Sequence, residues 1–462
     1  MKFEKLSVPT AVHTTNRFKA LLKAEAKASG VPNIGMWVTP HPTVGKTMAE
    51  LRKEAEDVFD SIVEALTRGT DSESEEQEAP GERITIAGDD YADVYDKFNK
   101  MFMKERWGDG LPLVPPTEEK IQWMLQGTDR SPDDVVSETR PSGRAATIKA
   151  VAINAVMAGA VPAYLPVIIA ALEAWDACDW GWGSVTTTSP AAPLMVVNGG
   201  ISKEIDINSK SNATGYGWRA NATIGRALEL IFNTVGGTIP GYTDMSIMGC
   251  SSTITSTVMA ENEDVLDDLG WQKYSEMIGF SAGENVVSVV PAYWGFEEIW
   301  IKTNTADELL ECLIWELGNR GREAIMDWIG GTWLILCPEH AKILANGGWS
   351  KERVRRYLAN ALPNYYRYPK GKLRKIFKDA YPRASQTVMD LPDNALVSGY
   401  SVKESDYKIF VVGGPGNESQ NWRVGAPYEN EFASRKITLP KNWKKVLEAS
   451  DIMTMLMPKL PW

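Results

Sequence analysis

Histidine is nearly missing from this chain: His13, His41 and His340 are all there are in 462 residues. A three-histidine metal centre would need all of them to converge from distant segments, so no metal site is expected. Cysteine is sparse as well. Cys178, Cys250, Cys312 and Cys337 stand far apart without a C-x-x-C pair, which suits reduced thiols in a cytoplasm rather than a disulfide framework. Basic charge is in deficit, with 49 Lys and Arg against 60 Asp and Glu and a net charge of −11. Phosphate neutralisation needs the opposite field, so nucleic acid is not the expected partner. Long apolar runs are missing too. Ala150–Ala174 is interrupted by Asn154, Gly159, Pro162 and Pro166, and the opening MKFEKLSVPT has no apolar h-region. Neither a membrane span nor secretion is expected, and a cytoplasmic location follows. Nucleotide and flavin motifs are absent. Val44-Gly45-Lys46-Thr47 resembles the end of a P-loop, but Pro40 stands where its leading glycine belongs. No cofactor is expected.

What is present is ordinary globular material, 44% hydrophobic and 24% charged. The length exceeds what one core holds, so more than one folding unit is expected. Residues 1–67 read as helix Asn16–Ala28, strand Ile34–Val38 and helix Met48–Leu66, an incomplete βα half-domain that must dock on the main body or on another chain. Residues 68–83, acidic and without apolar anchors, read as a linker. From residue 84 to 462 strands and helices alternate. Helices are expected at Tyr91–Lys104, after Thr117 as N-cap, and at Thr147–Ala158, Tyr164–Ala174, Arg219–Asn233, Ala306–Asn319 and Pro338–Asn346. Strands are expected at Leu194–Asn198, Val286–Val290, Thr332–Leu336 and Lys408–Val412. The expectation is an α/β fold, a layered mixed sheet with flanking helices, with room for two subdomains.

Three constellations could carry chemistry. In the polar, glycine-rich run Asn208–Arg226, a loop feeds a helix N-terminus, a setting suited to a carboxylate, phosphate or oxyanion. Arg219 and Arg226 lie seven residues apart on one helical face, and Asn208, Asn212 and Asn221 surround the helix start, making these five the substrate-binding candidates. The bland alternative is a polar loop with solvated arginines. At Cys337-Pro338-Glu339-His340 a strand passes into a helix. His340 there would be held neutral by the positive helix end, as a base or a hydrogen-bond donor, or else would simply pack locally. Gly249–Thr253 places Cys250 among small hydroxyl residues, a nucleophile if a cation lowers its pKa. Glu261 nearby is a general acid/base candidate if buried. The basic cluster from Lys351 to Lys375 reads as a surface helix or a subunit contact.

Several phrases in combination resemble the UGSC-type (seleno)protein family, often labelled thioredoxin-like. They are WVTPHP (Trp37–Pro42), WGDGLPLVPPTEE (Trp107–Glu119), VAINAVMAGAVPAYLPVIIAAL (Val151–Leu172), RANATIGRALELI (Arg219–Ile231), PGYTDMSIMG (Pro240–Gly249), AENE (Ala260–Glu263), PEHA (Pro338–Ala341) and FVVGGPG (Phe410–Gly416). The family pattern carries a U/C-G-S-C motif ahead of a segment like Asn16–Arg68, and this sequence lacks it. It also has serine where the family tends to have histidine, near Thr188-Ser189-Pro190. The resemblance implies formation or cleavage of a carbon–heteroatom bond on a small polar or anionic substrate. It further implies a second protein subunit that completes the half-domain and supplies a thiol or selenol. The alternative is a non-catalytic binding or scaffold subunit for a redox partner.

Overall fold

A computed structural model describes residues 2–67 apart from 7 and 44, 84–318 apart from 180 and 190, 332–372, 390–424 apart from 399 and 401, and 432–452. The acidic stretch 68–83 lies outside the described residues, as do Arg374 and Lys375 of the basic cluster.

The N-terminal unit contains one more strand than expected. Strand β1 (Ala11–Thr15) pairs in parallel with β2 (Gly35–Thr39) through the crossover helix Lys19–Ala28, and the helix Met48–Thr67 packs behind them. β1 escapes detection because Ala-Val-His-Thr-Thr carries little apolar signal. Arg140 of the main body reaches this unit at Ser29 Oγ, 3.4 Å away, and at Glu25, 3.7 Å away.

The main body follows from well-capped helices around a mixed sheet. Thr147 accepts from the Ala150 N–H at 3.2 Å and opens Ile148–Ala158, which ends at the left-handed Gly159. Helix Leu165–Asp176 is apolar on nearly every face because it is sandwiched between strands and the helix Arg219–Thr234. Two short strands, β3 (Val135–Glu138) and β4 (Ala145–Thr147), form a hairpin beside it. A further short antiparallel pair joins β9 (Tyr368–Pro369) to β10 (Leu396–Val397).

The large sheet runs β11 (Tyr407–Val411), β8 (Thr332–Leu336), β12 (Glu418–Val424), β7 (Val286–Trp300), β5 (Ala191–Asn198), β6 (Thr257–Ala260), with β13 (Ala433–Lys436) also on β7. Two parallel pairs, β11–β8 and β5–β6, flank an antiparallel centre in which β7 meets β12. Each half repeats one plan: a strand, a helical crossover to a parallel edge strand, then a strand returning antiparallel. No repeat is visible in the sequence; the repetition is topological.

The sheet coils until its edges meet. The Asn262 N–H, just past β6, donates to the Val411 carbonyl at the end of β11 at 2.8 Å. Leu194, Met259, Val290, Trp333, Phe410 and Trp422 thus share one interior core. Two outer cores cover the other face. One joins β5, β6 and β7 to the helices Ile148–Ala158, Leu165–Asp176 and Arg219–Thr234. The other joins β8 and β11 to Ala306–Gly318, Pro338–Asn346 and Lys351–Tyr365. Each fully buried Leu or Ile in these cores contributes about 1.5–3 kcal/mol.

Candidate functional site

The run Asn208–Arg226 has a different role from the one its composition suggests. It is the clasp between the two sheet edges. The Ala260 N–H, on β6, donates to the Asn208 carbonyl at 3.2 Å, and the Gly413 N–H, following β11, donates to the Ser209 carbonyl at 2.9 Å. Asn221 turns inward: its Oδ1 accepts from the Asn208 N–H at 2.8 Å and its Nδ2 donates to the Val258 carbonyl at 2.8 Å. Asn208 Oδ1 accepts from the Lys210 N–H, and Asn212, left-handed at φ 63°, donates to the Tyr216 carbonyl. Arg219 holds the Gly159 carbonyl with Nε at 3.1 Å and Nη2 at 2.9 Å, closing the end of the helix Ile148–Ala158. Four of the five expected substrate contacts are therefore spent on backbone. An amide that must be paired meets that need equally well with a carbonyl or a ligand, and residue type does not distinguish them.

The acid/base candidates are likewise enclosed. Glu261 and Lys351 form an ion pair at 2.6 Å with side chains 0% and 1% exposed. Glu261 Oε2 also accepts from Asn198 Nδ2 and the Tyr274 N–H, each at 2.8 Å. Lys351, expected on a surface helix or at a subunit contact, starts the helix Lys351–Tyr365 from inside the protein. His340 is fully buried, with Nε2 at 2.9 Å from the Ile301 carbonyl and Nδ1 at 2.7 Å from Ser419 Oγ. The carbonyl only accepts, so Nε2 carries the proton and Nδ1 takes the Ser419 hydroxyl. Desolvation by burial holds the imidazole pKa below its ordinary value, with the Ile301 carbonyl and the Glu339 charge opposing it. Cys250 has no activating cation among the described residues. Burial pushes its thiol up and the nearby Glu229 charge adds to that, the reverse of what a nucleophile needs.

The concave ground lies elsewhere, between the loop Trp107–Pro116, the C-terminal half of the helix Arg219–Thr234 and the segment Thr238–Thr253. Two hollows adjoin there, sharing Gly108 and Pro240 as walls. One, about 220 Å³, is apolar, with Phe102, Met103, Leu111 and Leu113 in its lining. The other, about 100 Å³, is lined by Asp109, Glu229, Asn233, Thr238, Asp244 and Ser246 among others. Arg226, the remaining sequence candidate, stands behind this site and supports it. Its Nε meets Asp109 Oδ2 at 2.6 Å and its Nη2 meets Asp109 Oδ1 at 3.0 Å and the Pro112 carbonyl at 3.0 Å. Gly225 lets the segment Ser252–Ser256 lie against the same helix, since a Cβ there would come within 1.9 Å of the Thr255 carbonyl.

Glu229 is the chemically distinctive group. Its Oε1 accepts from Ser256 Oγ at 2.8 Å. Burial pushes its carboxyl well above the usual carboxylate range, and the charges of Asp244 and Asp109 push the same way. Sequence reasoning misses Glu229 and Asn233. The available signal is their spacing from Arg226 at i+3 and i+7, one polar stripe on a helix whose other face is core. Asp109 sits in the Gly108-Asp109-Gly110 turn, which the sequence marks only as rigid.

Among the described residues no helix is long and apolar enough to cross a membrane, and no group of three or more His, Cys, Asp or Glu is placed to hold a metal ion. No curated protein and no solved structure matches the chain. The model of the UGSC family matches residues 1–68, so the motifs between Trp107 and Gly416 lie outside the matched segment. The part of the chain that is similar to the UGSC family is thus the N-terminal unit, from its first helix through Thr67.

Proposed function

We propose that the cleft over Glu229 is the catalytic site of an enzyme subunit that forms or cleaves a carbon–heteroatom bond in a small polar substrate. The observation that carries this reading is a carboxyl that lines a cavity, is hydrogen-bonded by Ser256, and has its pKa pushed well above the usual carboxylate range by burial, with the charges of Asp244 and Asp109 adding to the effect. Such a group is suited to general-acid work. In the cleavage direction the electron pair of the bond leaves with the heteroatom, which takes the Glu229 proton. Water, or a thiol or selenol carried by a partner, fills the carbon, and its proton returns to the Glu229 carboxylate. His340, Glu261 and Cys250 have no part in this scheme, because none of them lines either hollow.

The test has two arms. Infrared difference spectra of wild type against Glu229→Gln at pH 7 should show the carbonyl stretch of a protonated carboxylic acid that the variant lacks. Incubation with a small-metabolite extract, followed by mass spectrometry, should show turnover by wild type and a loss of about 10²–10⁴-fold in the variant. An ionised Glu229, or unchanged turnover, would sink the proposal.

A second reading, a binding or scaffold unit for a redox partner, draws on the N-terminal unit. Its β1–β2 sheet has only two strands among the described residues, and Leu51, Phe59, Val63 and Leu66 form an exposed apolar stripe on the helix Met48–Thr67. Two strands rarely hold together without further cover. A partner that adds strands would bury that stripe, and recovery of the native chain as a monomer with no co-eluting small protein would count against it.

A further inference from the structure

None of the 20 residues of the helix Met48–Thr67 is buried, although helices in folded chains draw most of their stability from a packed face. The helix packs on β2 with its half-buried side, which includes Val58, Ile62 and Ala65. Ala65 lies so near Gly35 of that strand that a Cβ on the glycine would come within 2.6 Å of it. A second apolar side is left over. Met48, Leu51, Ala55, Phe59, Val63 and Leu66 are all exposed, Phe59 by 61%. Helical spacing gathers the six into one narrow seam that runs the length of the helix. A continuous apolar seam of this kind marks a contact surface, which singly scattered apolar side chains do not.

The seam also indicates what fits it. Its steps along the chain are three, four, four, four and three residues, the same from either end. Two copies laid antiparallel therefore match in register about a two-fold axis, each pair occurring twice. Met48 then faces Leu66 of the second copy, Leu51 faces Val63, and the small Ala55 faces the large Phe59. The charges bordering the seam select the same direction. The first half of the helix balances Glu50 and Glu54 against Arg52 and Lys53, whereas the second half carries Glu56, Asp57, Asp60 and Glu64 and no base. Among the described residues neither Arg52 nor Lys53 has an ion-pair partner. Antiparallel pairing brings both of them level with Asp60 and Glu64 of the second copy. Parallel pairing would set one acidic half beside the other, which is repulsive.

We infer that a second copy of this chain docks antiparallel on this seam, making a two-fold dimer joined through the N-terminal units. This goes beyond the reading of the Glu229 cleft and does not depend on it. It assigns the helix face to a second copy in place of a strand-adding partner, and it makes no claim on the edges of the β1–β2 sheet.

Sedimentation equilibrium of the full chain at micromolar concentration should give the mass of two chains. Phe59→Asp changes a side chain that meets water in the single chain, so circular dichroism should stay the same. Association should weaken more than about a hundredfold, because each dimer then buries two unpaired charges. Arg52→Glu with Lys53→Glu alters only the border and should weaken association about tenfold, and adding Asp60→Lys with Glu64→Lys should restore it. Oxidative cross-linking reads the direction. Met48→Cys mixed with Leu66→Cys should join the two chains above the wild-type background, and neither variant should cross-link with itself. A chain that stays monomeric, a dimer indifferent to Phe59→Asp and to the charge changes, or self-cross-linking of Met48→Cys would overturn the inference. So would recovery of the chain bound one-to-one to a smaller protein that Phe59→Asp releases.

Discussion

Arg226 grips Asp109 with two hydrogen bonds, Nε to Oδ2 at 2.6 Å and Nη2 to Oδ1 at 3.0 Å, and so ties the Gly108–Gly110 turn to the helix Arg219–Thr234. Both side chains are mostly shielded, 14% and 7% exposed, so water screens the pair weakly. Lysine cannot reproduce the fork. Arg226→Lys should therefore cost about 1.5–3 kcal/mol and raise amide hydrogen exchange across Trp107–Leu113. A double-mutant cycle with Asp109→Asn should show strong coupling between the two. Additive effects, with exchange unchanged, would mean that the turn holds without the pair.

Glu229 links activity and stability to pH with a definite sign. Its folded pKa lies above its ordinary value of 4.5 because burial disfavours the anion and Asp244 and Asp109 repel it, while Ser256 opposes them in part. The groups facing it include Arg226 through Asp109, and Cys250, whose own pKa is raised. Turnover should fall as pH rises through the raised value. The folded state binds this proton more tightly than the unfolded chain does. Glu229 therefore costs no stability below about pH 4.5, and above it the cost grows by about 1.4 kcal/mol for each further pH unit until the folded pKa is reached. Glu229→Gln should consequently raise the melting temperature at neutral and alkaline pH and leave it nearly unchanged at pH 4. A variant less stable than wild type at pH 8 contradicts the assignment.

Glu261 and Lys351 bind the end of β6 to the start of the helix Lys351–Tyr365. Removing one partner strands the other charge in the interior. Lys351→Met and Glu261→Gln should each cost about 3–5 kcal/mol in urea unfolding. The double replacement should cost less than the sum of the two. Intact folding with either single change, and with no loss of stability, would show that the pair is not sealed from water.

His340 is expected to behave as a structural histidine. His340→Ala strands the Ile301 carbonyl and Ser419 hydroxyl, at about 1–3 kcal/mol for each group. Turnover per folded molecule should persist. The folded pKa lies below its ordinary value of 6.5, so the stability it confers is present above that pH and is lost as pH falls towards the folded pKa. Wild type should therefore lose melting temperature below pH 6.5 more steeply than the alanine variant. Parallel curves for the two proteins would remove the basis for this prediction.

How far the fold is legible in the sequence depends on the range of the signal. The helices at Thr147–Ala158, Arg219–Asn233 and Pro338–Asn346 and the strands at Leu194–Asn198 and Thr332–Leu336 match what forms, because capping and periodicity are local. β7 is legible only as far as Val290 although it continues to Trp300, since its second half alternates less cleanly. β6, β12 and β13 leave no clear mark in the sequence. They are short or polar on one side, and their pairing partners lie far away along the chain.

The candidate site shows the same division. Residue type and spacing by themselves determined that Arg219 and Arg226 share a helical face and that the asparagines near the helix start need partners. Only the tertiary structure decided which partners those groups have, because an amide or a guanidinium satisfies its hydrogen bonds equally well on a carbonyl, a carboxylate or a ligand. Coiling the sheet brought β6 and β11 together and turned Asn208–Arg226 into a clasp. The same packing brought Gly108-Asp109, Glu229 and Asp244 from three separate segments around one hollow, where burial rather than sequence context sets the chemistry of Glu229.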